Sequence, residues 1–290
     1  MCVDLHTHSI FSDGTSTPTE LVASAAERGL MGFSLTDHDT TEGVNEALAA
    51  GKKFGLKIIS GLEISAVHRE YSLHILGYGI EPQHPELLAW LKTLQEGRKK
   101  RNAGILAKLA AMGIAITDTE LAEFSGCGQA GRPHIARLLI DRGIVNTMGQ
   151  AFARYLGRNK PAWQSRFAYT AAETIAIIHR AGGLAVLAHP GQLDPGMKIQ
   201  PRIIRELVDR GLDGLEIYYP GHTKKMMKRL HGSAKKYNLL VTGGSDFHGH
   251  NRSGTLAGGS KGICPPDEIL DELFARLKHL DSHLTGNIHI

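Results

Sequence analysis

An α/β fold is what the sequence predicts, on three observations. Short apolar segments alternate with helical ones along most of the chain, Thr-x-x-Glu capping boxes open helices, and glycines close them. About seven strands can be counted in alternation with helices, which implies a parallel sheet, open or closed into a barrel. A length of 290 residues suits one large domain or one domain with a smaller insertion, at roughly 150 residues per domain. Hydrophobic residues at 42% and charged residues at 21% exclude a disordered, collagen-like or disulfide-scaffold protein.

The elements follow in order. A strand around Val3 to Leu5 precedes a helix opened by Thr17-Pro18-Thr19-Glu20, a capping box with proline at the first helical position, and Gly29 follows its last turn. Next come a strand Phe33 to Thr36, a helix from about Thr41 to Phe54 closed by Gly55, a strand Lys57 to Ile59 and a strand Leu73 to Tyr78. The same grammar resumes at Thr170-Ala171-Ala172-Glu173, with a helix ending at Gly182-Gly183 and a strand Leu184 to Ala188. A helix near Pro201 to Arg210, a strand Asp213 to Tyr218, a helix near Lys224 to Tyr237, a strand Leu239 to Thr242 and a helix from about Pro266 complete the pattern. The segment Gly254 to Gly259 reads as a loop, and His279 to His289 as a solvated tail.

Residues 98–160 break the rhythm. They read as consecutive helices (Arg98 to Met112, Thr117 to Phe124, Pro133 to Arg142, Thr147 to Leu156), a helical insertion in a domain formed by residues 1–97 and 161–290. The insertion carries 11 Lys/Arg against 4 Asp/Glu, so its net +7 hides a remainder that is acidic, as expected where one small unit handles an anion. For the run Arg98-Lys99-Lys100-Arg101 a solvated helix face is an equal alternative.

No apolar run approaches the ~18 residues needed to span a bilayer, and the N-terminus lacks a signal-peptide core, so a cytoplasmic protein is expected. Cys2, Cys127 and Cys264 show no metal-type pairing and read as buried or incidental thiols. Histidine stands out: 16, against 8 Phe, 7 Tyr and 2 Trp, which directs attention to metal chemistry.

Position sharpens that composition. His6-Thr7-His8 and Asp13 follow the first strand, Asp37-His38-Asp39 the second, Glu63 the third; His74 lies in or after the fourth, His189-Pro190 ends the fifth, and Ser245-Asp246-Phe247-His248 ends the seventh. In parallel α/β folds the carboxyl ends of the strands form the face where binding residues converge. A lone His74 would more often be a satisfied core histidine; it is the joint placement that core packing explains poorly. The donors are nitrogen and oxygen without thiolate, suited to Zn²⁺, Mn²⁺ or Fe²⁺, and their number points to two or three divalent ions, Mn²⁺ being favoured.

These residues, with Ser12-Asp13-Gly14-Thr15, Thr36-Asp37-His38-Asp39, Gly61-Leu62-Glu63 and Ala188-His189-Pro190, resemble the PHP (polymerase and histidinol phosphatase) family, from residue 1 to about 250 outside the insertion. The resemblance implies a distorted seven-stranded β/α barrel, TIM-like, with up to three metal ions. It assigns His6, His8, Glu63 and Asp246 to one ion, Glu63, His74 and His189 to a second, and Asp13, His38 and His248 to a third. Asp37 and Asp39 are expected to orient His38 or cap the next helix.

Clustered dications lower the pKa of water towards neutrality and clamp phosphoryl oxygens, so phosphoester hydrolysis by an activated hydroxide is expected. Metal-bound water, Asp13 or His248 could protonate the leaving group. Gly131-Arg132-Pro133-His134 places an Arg and a His at a helix start, a natural phosphate pocket, with Arg101, Arg158 and Lys160 as weaker candidates; Arg132 as a surface residue and His134 as a cap is the alternative. The insertion resembles the PHP subgroup of nucleoside 3′,5′-bisphosphate phosphatases and 5′-to-3′ exonucleases of short RNA, which implies a small nucleotide substrate with two phosphates, or short oligonucleotides. Removal of the 3′-phosphate, with Arg132 and His134 on the 5′-phosphate, is the leading expectation and exonucleolytic trimming the second. A histidinol phosphatase would not need so basic an insertion, and no lysine near Glu63 suggests the bridging ligand of many binuclear amidohydrolases. A non-catalytic nucleic-acid-binding module is a further alternative, disfavoured by few aromatic residues for stacking. Tyr218, Tyr219 and His222 read as a packed strand end rather than a base or sugar site.

Overall fold

The computed structural model describes residues 1–126, 129–251 and 263–281. In chain order it contains β1 (Val3–Asp4), α1 (Pro18–Glu27), β2 (Gly32–Leu35), α2 (Val44–Phe54), β3 (Lys57–His68) and β4 (Tyr71–Tyr78). Then come α3 (Pro85–Ala111), α4 (Asp118–Ser125), α5 (Arg132–Asp141) and α6 (Met148–Ala151), the last prolonged by a π-helical turn, Phe152–Leu156. The second half holds β5 (Tyr169–Thr170), α7 (Ala171–Arg180), β6 (Leu184–Leu187), α8 (Gln200–Val208), β7 (Gly214–Tyr218), α9 (Lys224–Tyr237), β8 (Leu240–Gly243) and α10 (Glu268–Asp281).

One sheet runs in the order β1-β2-β3-β4-β6-β7-β8, with the short β5 beside the far end of β3. It curls until the continuation of β8 returns to that of β1: Leu5 N–H donates to Gly243 O (3.1 Å), Asp246 N–H to His6 O (2.8 Å) and His8 N–H to Phe247 O (2.9 Å). This is the distorted α/β barrel with seven strands around the curl. The expected all-parallel arrangement is corrected at β4, which runs antiparallel to both β3 and β6. Only Arg69 and Glu70 separate β3 from β4, a connection that permits a hairpin and forbids a crossover. The third strand does not stop at Ile59 but extends to His68, because Ser60, Glu63 and Ser65 are buried within it and interrupt its apolar pattern.

The barrel core gathers Leu62, Ile64, Ile75, Ile178, Ile203 and Leu215 on one side of the sheet, with Val3, Leu5, Tyr78, Leu240 and Leu273 on the other. Each such large side chain contributes roughly 1.5–3 kcal/mol of burial. The helices of the insertion have their own core, which includes Ile105, Leu109, Ile135, Leu139 and Leu156. α3 joins the two: Leu87, Leu91 and Leu94 pack on the barrel, while Ile105, Leu106 and Leu109 pack in the insertion. It starts at Pro85, thirteen residues earlier than the Arg98 expected, on a cap in which His84 Nδ1 accepts from Leu87 N–H (3.4 Å). The basic run on α3 is split rather than solvated as a face. Arg98 and Arg101 are each 6% exposed, in the polar gap between the two cores, and Lys99 and Lys100 point outwards.

Cys2 and Cys264, read from sequence as incidental thiols, form a disulfide with Cα atoms 5.1 Å apart. It fastens the start of β1 to the segment before α10, a pairing that 262 residues of separation conceal in the sequence. Cys127 and Gly254 to Gly259 lie outside the described residues; of the expected tail from His279, α10 takes residues up to Asp281 and the remainder lies outside them.

Candidate metal centre and arginine cleft

Strand pleating brings His6 and His8 to the same side. Thr7 between them points the other way, its Oγ1 donating to Ser34 O (2.9 Å) and its N–H to Thr36 Oγ1 (3.1 Å). Asp13 is delivered by a turn wound around the buried Asp37 carboxylate, which accepts from Ser9 N–H (2.7 Å), Ser9 Oγ (2.6 Å) and Ser12 Oγ (2.5 Å). Gly14 lets that turn close, because a Cβ there would lie 2.1 Å from His8 O. Asp37 therefore holds the Asp13 loop rather than orienting His38.

Of the non-glycine residues with positive φ, three lie in the loops that leave strands towards the basin: Asp39 (54°), His189 (27°) and Asp246 (52°). Such conformations cost energy and persist only where surroundings impose them. Here Asp39 N–H donates to Glu63 O (2.9 Å), His189 N–H to Glu216 Oε2 (2.7 Å) and Asp246 N–H to His6 O (2.8 Å), so each sharp exit is pinned across the sheet.

All nine expected ligand residues meet in one basin. Their donor atoms form four groups, each within 4.8 Å: His8, Asp13, His38 and His248; His6, Glu63 and His189; His6, His8 and Asp246; His38, Glu63 and His74. Glu63, buried at the centre of β3, faces His6 (3.5 Å), His8 (3.5 Å), His38 (2.8 Å), His74 (2.9 Å) and His189 (3.0 Å). The grouping differs in detail from that implied by resemblance. His8 also stands with Asp13, His38 and His248, and His38 also stands with Glu63 and His74.

The donor set fits divalent cations. The buried Nδ1 atoms of His8 and His38, Oδ1 of Asp13 and Oε2 of Glu63 have no hydrogen-bond partner of good geometry although other donors surround them. Inward-facing donor atoms that find no partner in one another are the chemistry of a cation site, and nitrogen and oxygen donors suit Mn²⁺, Zn²⁺ or Fe²⁺. The same crowding makes the groups perturb one another's ionisation strongly. Burial opposes ionisation of Asp13 and Glu63, but His248 and His38 around Asp13, and His74, His38 and His6 around Glu63, hold both carboxyls well below their usual range. Burial pulls His248 down, yet Asp13 and Asp246 carry it up to about 9; burial, then His248 beside it, press His8 down to about 3.

Two supporting residues escape sequence reading. Glu216, fully buried in β7, accepts from His6 Nδ1 (2.8 Å) and from His189 N–H (2.7 Å), orienting two ring ligands at once. Its only sequence signal is a carboxylate inside an apolar strand, on the one strand of the seven around the curl that brings no candidate ligand. Tyr219 Oη donates to Asp246 Oδ2 (3.1 Å) and is buried, so the packed strand end that was expected also steadies a ligand. His222 is satisfied on both nitrogens, by Gly191 N–H and Ile217 O.

Beside the basin lies a cleft of about 440 Å³ lined by Arg98, Arg101, Arg132, Arg158 and Arg166 together with Trp163. The basin itself measures about 400 Å³, and the two cavities share Asp13, His38, His74, Pro133 and Phe152. Asp39 binds Arg98 Nη2 (2.5 Å) and Arg166 Nη1 (3.2 Å) and accepts from Ser65 N–H (2.9 Å), so it anchors guanidinium groups instead of capping a helix. Among the described residues Arg101 has no carboxylate partner: Asn102 Oδ1 lies 3.2 Å from Nη2, and Nε is buried without one. Burial, then Arg98, Arg166 and Arg132, push its pKa down to about 8. Arg132 begins α5 with its guanidinium 5.6 Å above the Phe152 ring. His134 is buried and its Nδ1 accepts from Gly131 N–H (3.1 Å), the capping role, while its ring stands near enough to Asp13 and His248 to feel their charge. Lys160 is exposed and does not line the cleft, so the structure does not bring it to the site. Arg166 carries no sequence signal, because it lies in irregular chain past the insertion, where no motif marks it.

Residues 4–125 match the PHP domain model. A 3′,5′-nucleoside bisphosphate phosphatase of Chromobacterium violaceum is 37% identical over 95% of this chain and 97% of its own length. A 5′-3′ exoribonuclease of Haemophilus influenzae is 38% identical over 84% of this chain and 89% of its own. Among solved structures, a protein of Bifidobacterium adolescentis described as a metal-dependent phosphoesterase superposes with a TM-score of 0.84 at 32% identity, covering 94% of this chain and 96% of its own.

Proposed function

The chain belongs to the PHP family, and from that premise we propose that it is a metal-dependent phosphatase that removes the 3′-phosphate of nucleoside 3′,5′-bisphosphates such as adenosine 3′,5′-bisphosphate. One observation carries this reading: a basin of metal-type donors and a cleft of guanidinium groups share five lining residues, which suits a small molecule bearing a phosphate at each end. His6, His8, Asp13, His38, Glu63, His74, His189, Asp246 and His248 would hold two or three divalent ions, with Mn²⁺ favoured. Bound there, such ions supply Lewis acidity towards phosphoryl oxygens and lower the pKa of water.

The remaining roles fall to the chain itself. Arg101 and Arg132 receive the 5′-phosphate, with Arg98 and Arg166 held behind them by Asp39 and Arg158 at the cleft wall. Two-point anchoring fixes the 3′-ester over the basin, and orientation of this kind contributes several kcal/mol to barrier lowering. Asp13 Oδ1, on the wall shared by both cavities, lies 3.2 Å from His248 Nε2, and we assign proton delivery to the leaving oxygen to whichever of the two would not be engaged by an ion, or to water bound at the ions. His134 supports this arrangement as the cap that sets the start of α5 and hence Arg132. Residues 98–160 act as a substrate cap over the barrel.

The test is incubation of purified, Mn²⁺-loaded protein with adenosine 3′,5′-bisphosphate. Release of phosphate with AMP is expected; no release, or release of the 5′-phosphate, overturns the assignment. A second reading, 5′-to-3′ trimming of short 5′-phosphorylated oligonucleotides, is favoured by the exoribonuclease relative and by the same two-point geometry, since only the leaving group differs. It requires 5′-mononucleotide release from phosphorylated trimers and none from unphosphorylated ones. Salt-sensitive oligonucleotide binding with no hydrolysis would instead favour a binding module.

A further inference from the structure

If the two phosphates sit as proposed above, the nucleoside between them must cross the junction of the two cavities. The junction is walled by Asp13, His38, His74, Pro133 and Phe152, of which Phe152 alone offers a flat apolar face. The metal basin is otherwise polar, with Pro133, Met148 and Phe152 its only apolar lining residues among those described. Met148 and Phe152 are four residues apart, one helical turn, and both pack on the insertion core while remaining half-exposed towards the basin.

The backbone sets this wall deliberately. Phe152 opens the π-helical turn, whose closing bond runs from Gly157 N–H to Phe152 O (2.8 Å). A Cβ on residue 157 would lie 2.6 Å from that oxygen, so the turn requires glycine there. π-Turns are rare and concentrate at functional sites, because the extra residue re-aims a side chain relative to the helix before it. Arg132 lies over the ring at 5.6 Å from its centre, fixing its plane. Trp163 lines the arginine cleft but not the metal basin, and Tyr219 is buried behind Asp246 and lines neither cavity.

We propose that Phe152, backed by Met148, is the stacking platform for the nucleobase and thereby a specificity-determining residue. The inference rests on the bisphosphate reading and adds to it where the base goes. A benzene ring has no hydrogen-bonding group, so it selects for the presence of a base and not for its identity; every base has a π-face. Adenosine, guanosine, cytidine and uridine 3′,5′-bisphosphates should accordingly differ little as substrates, with purines ahead through larger overlap.

The experiment crosses enzyme variants with a truncated substrate. Wild type, Phe152→Leu and Phe152→Trp, each Mn²⁺-loaded and each checked by thermal melting, are assayed on adenosine 3′,5′-bisphosphate and on 1-O-methylribose 3,5-bisphosphate, which keeps both phosphates and lacks the base. For wild type, kcat/KM should fall about tenfold or more on loss of the base. Phe152→Leu should lose that preference, its kcat/KM falling at least about fivefold further on the adenosine substrate than on the base-free one, and Phe152→Trp should retain the preference. Equal loss on both substrates, or an undiminished preference in Phe152→Leu, overturns the proposal. Absence of phosphate release from both substrates by wild type refutes the bisphosphate reading instead, so the two failures are distinguishable.

Discussion

Arg101 is a guanidinium 6% exposed with three other guanidinium groups as electrostatic neighbours, only a weaker attraction from Asp39 to offset them, and no carboxylate bonded to it among the described residues. Without ligand it costs stability, since an uncompensated buried charge is among the most destabilising features of a protein interior. Arg101→Met should therefore raise the melting temperature of the ligand-free protein, by the equivalent of about 1 kcal/mol or more, while raising KM for a nucleoside bisphosphate at least tenfold; calorimetry and steady-state kinetics measure the two effects. Asp39 shows the opposite balance. Burial raises its pKa but Arg98 and Arg166 more than reverse this, so the folded-state value lies below the unfolded one. Its contribution is present above the unfolded carboxylate pKa and is lost as pH falls towards the depressed folded value. Asp39→Asn should destabilise the protein by about 3–5 kcal/mol at pH 7, and the gap from wild type in denaturant titrations should narrow below roughly pH 4. Glu216 holds two candidate ligands, His6 and His189, from behind. Glu216→Gln should weaken divalent-ion affinity about 10–100-fold with the fold retained, as read by isothermal titration of Mn²⁺ into chelator-treated protein.

At the level of elements, α3 is the member that makes two cores act together. Its first turns belong to the barrel and its last to the insertion, so the buried Arg98 and Arg101 between them are placed by packing at both ends. This is why the basic run misleads as a sequence: a residue's exposure depends on what arrives opposite, and Arg166 and Asp39 arrive from elsewhere in the chain. The hairpin of β3 and β4 was similarly hidden, since buried polar residues erase the alternation from which strands are recognised. Helix starts marked by a capping box are legible. The Thr17 and Thr170 caps form as read, with Glu20 and Glu173 returning to the cap backbone at 2.8 Å, because capping is local chemistry. The Cys2–Cys264 disulfide ties an edge element to the return into α10. Its reduction should lower the melting temperature by a few degrees, corresponding to about 2–4 kcal/mol, and the unfolded, unreduced chain should show two fewer titratable thiols than the reduced one.

For the molecule as a whole, the metal-type donors come from six separate strand ends or strands, so an ion held there would tie together every strand around the curl except β7. Chelation should lower the melting temperature and re-addition of Mn²⁺ restore it in a concentration-dependent way, since a ligand bound only by the folded state stabilises by mass action. A chelator-independent melting temperature would show the basin to be no ion site. The sequence by itself determined the alternation of strands and helices, the helix caps, the nine ligand-type residues and the concentration of positive charge in the insertion. Those features are written in residue type and short spacing, which act through local chemistry. Only the tertiary structure decided that β4 reverses direction, that Glu216 and Tyr219 brace the ligands, that Asp39 serves the arginine cleft, and that Phe152 stands where basin and cleft meet. Each of these depends on groups distant in sequence meeting in a low-dielectric interior, where burial and pairing, not residue identity alone, set what a side chain does.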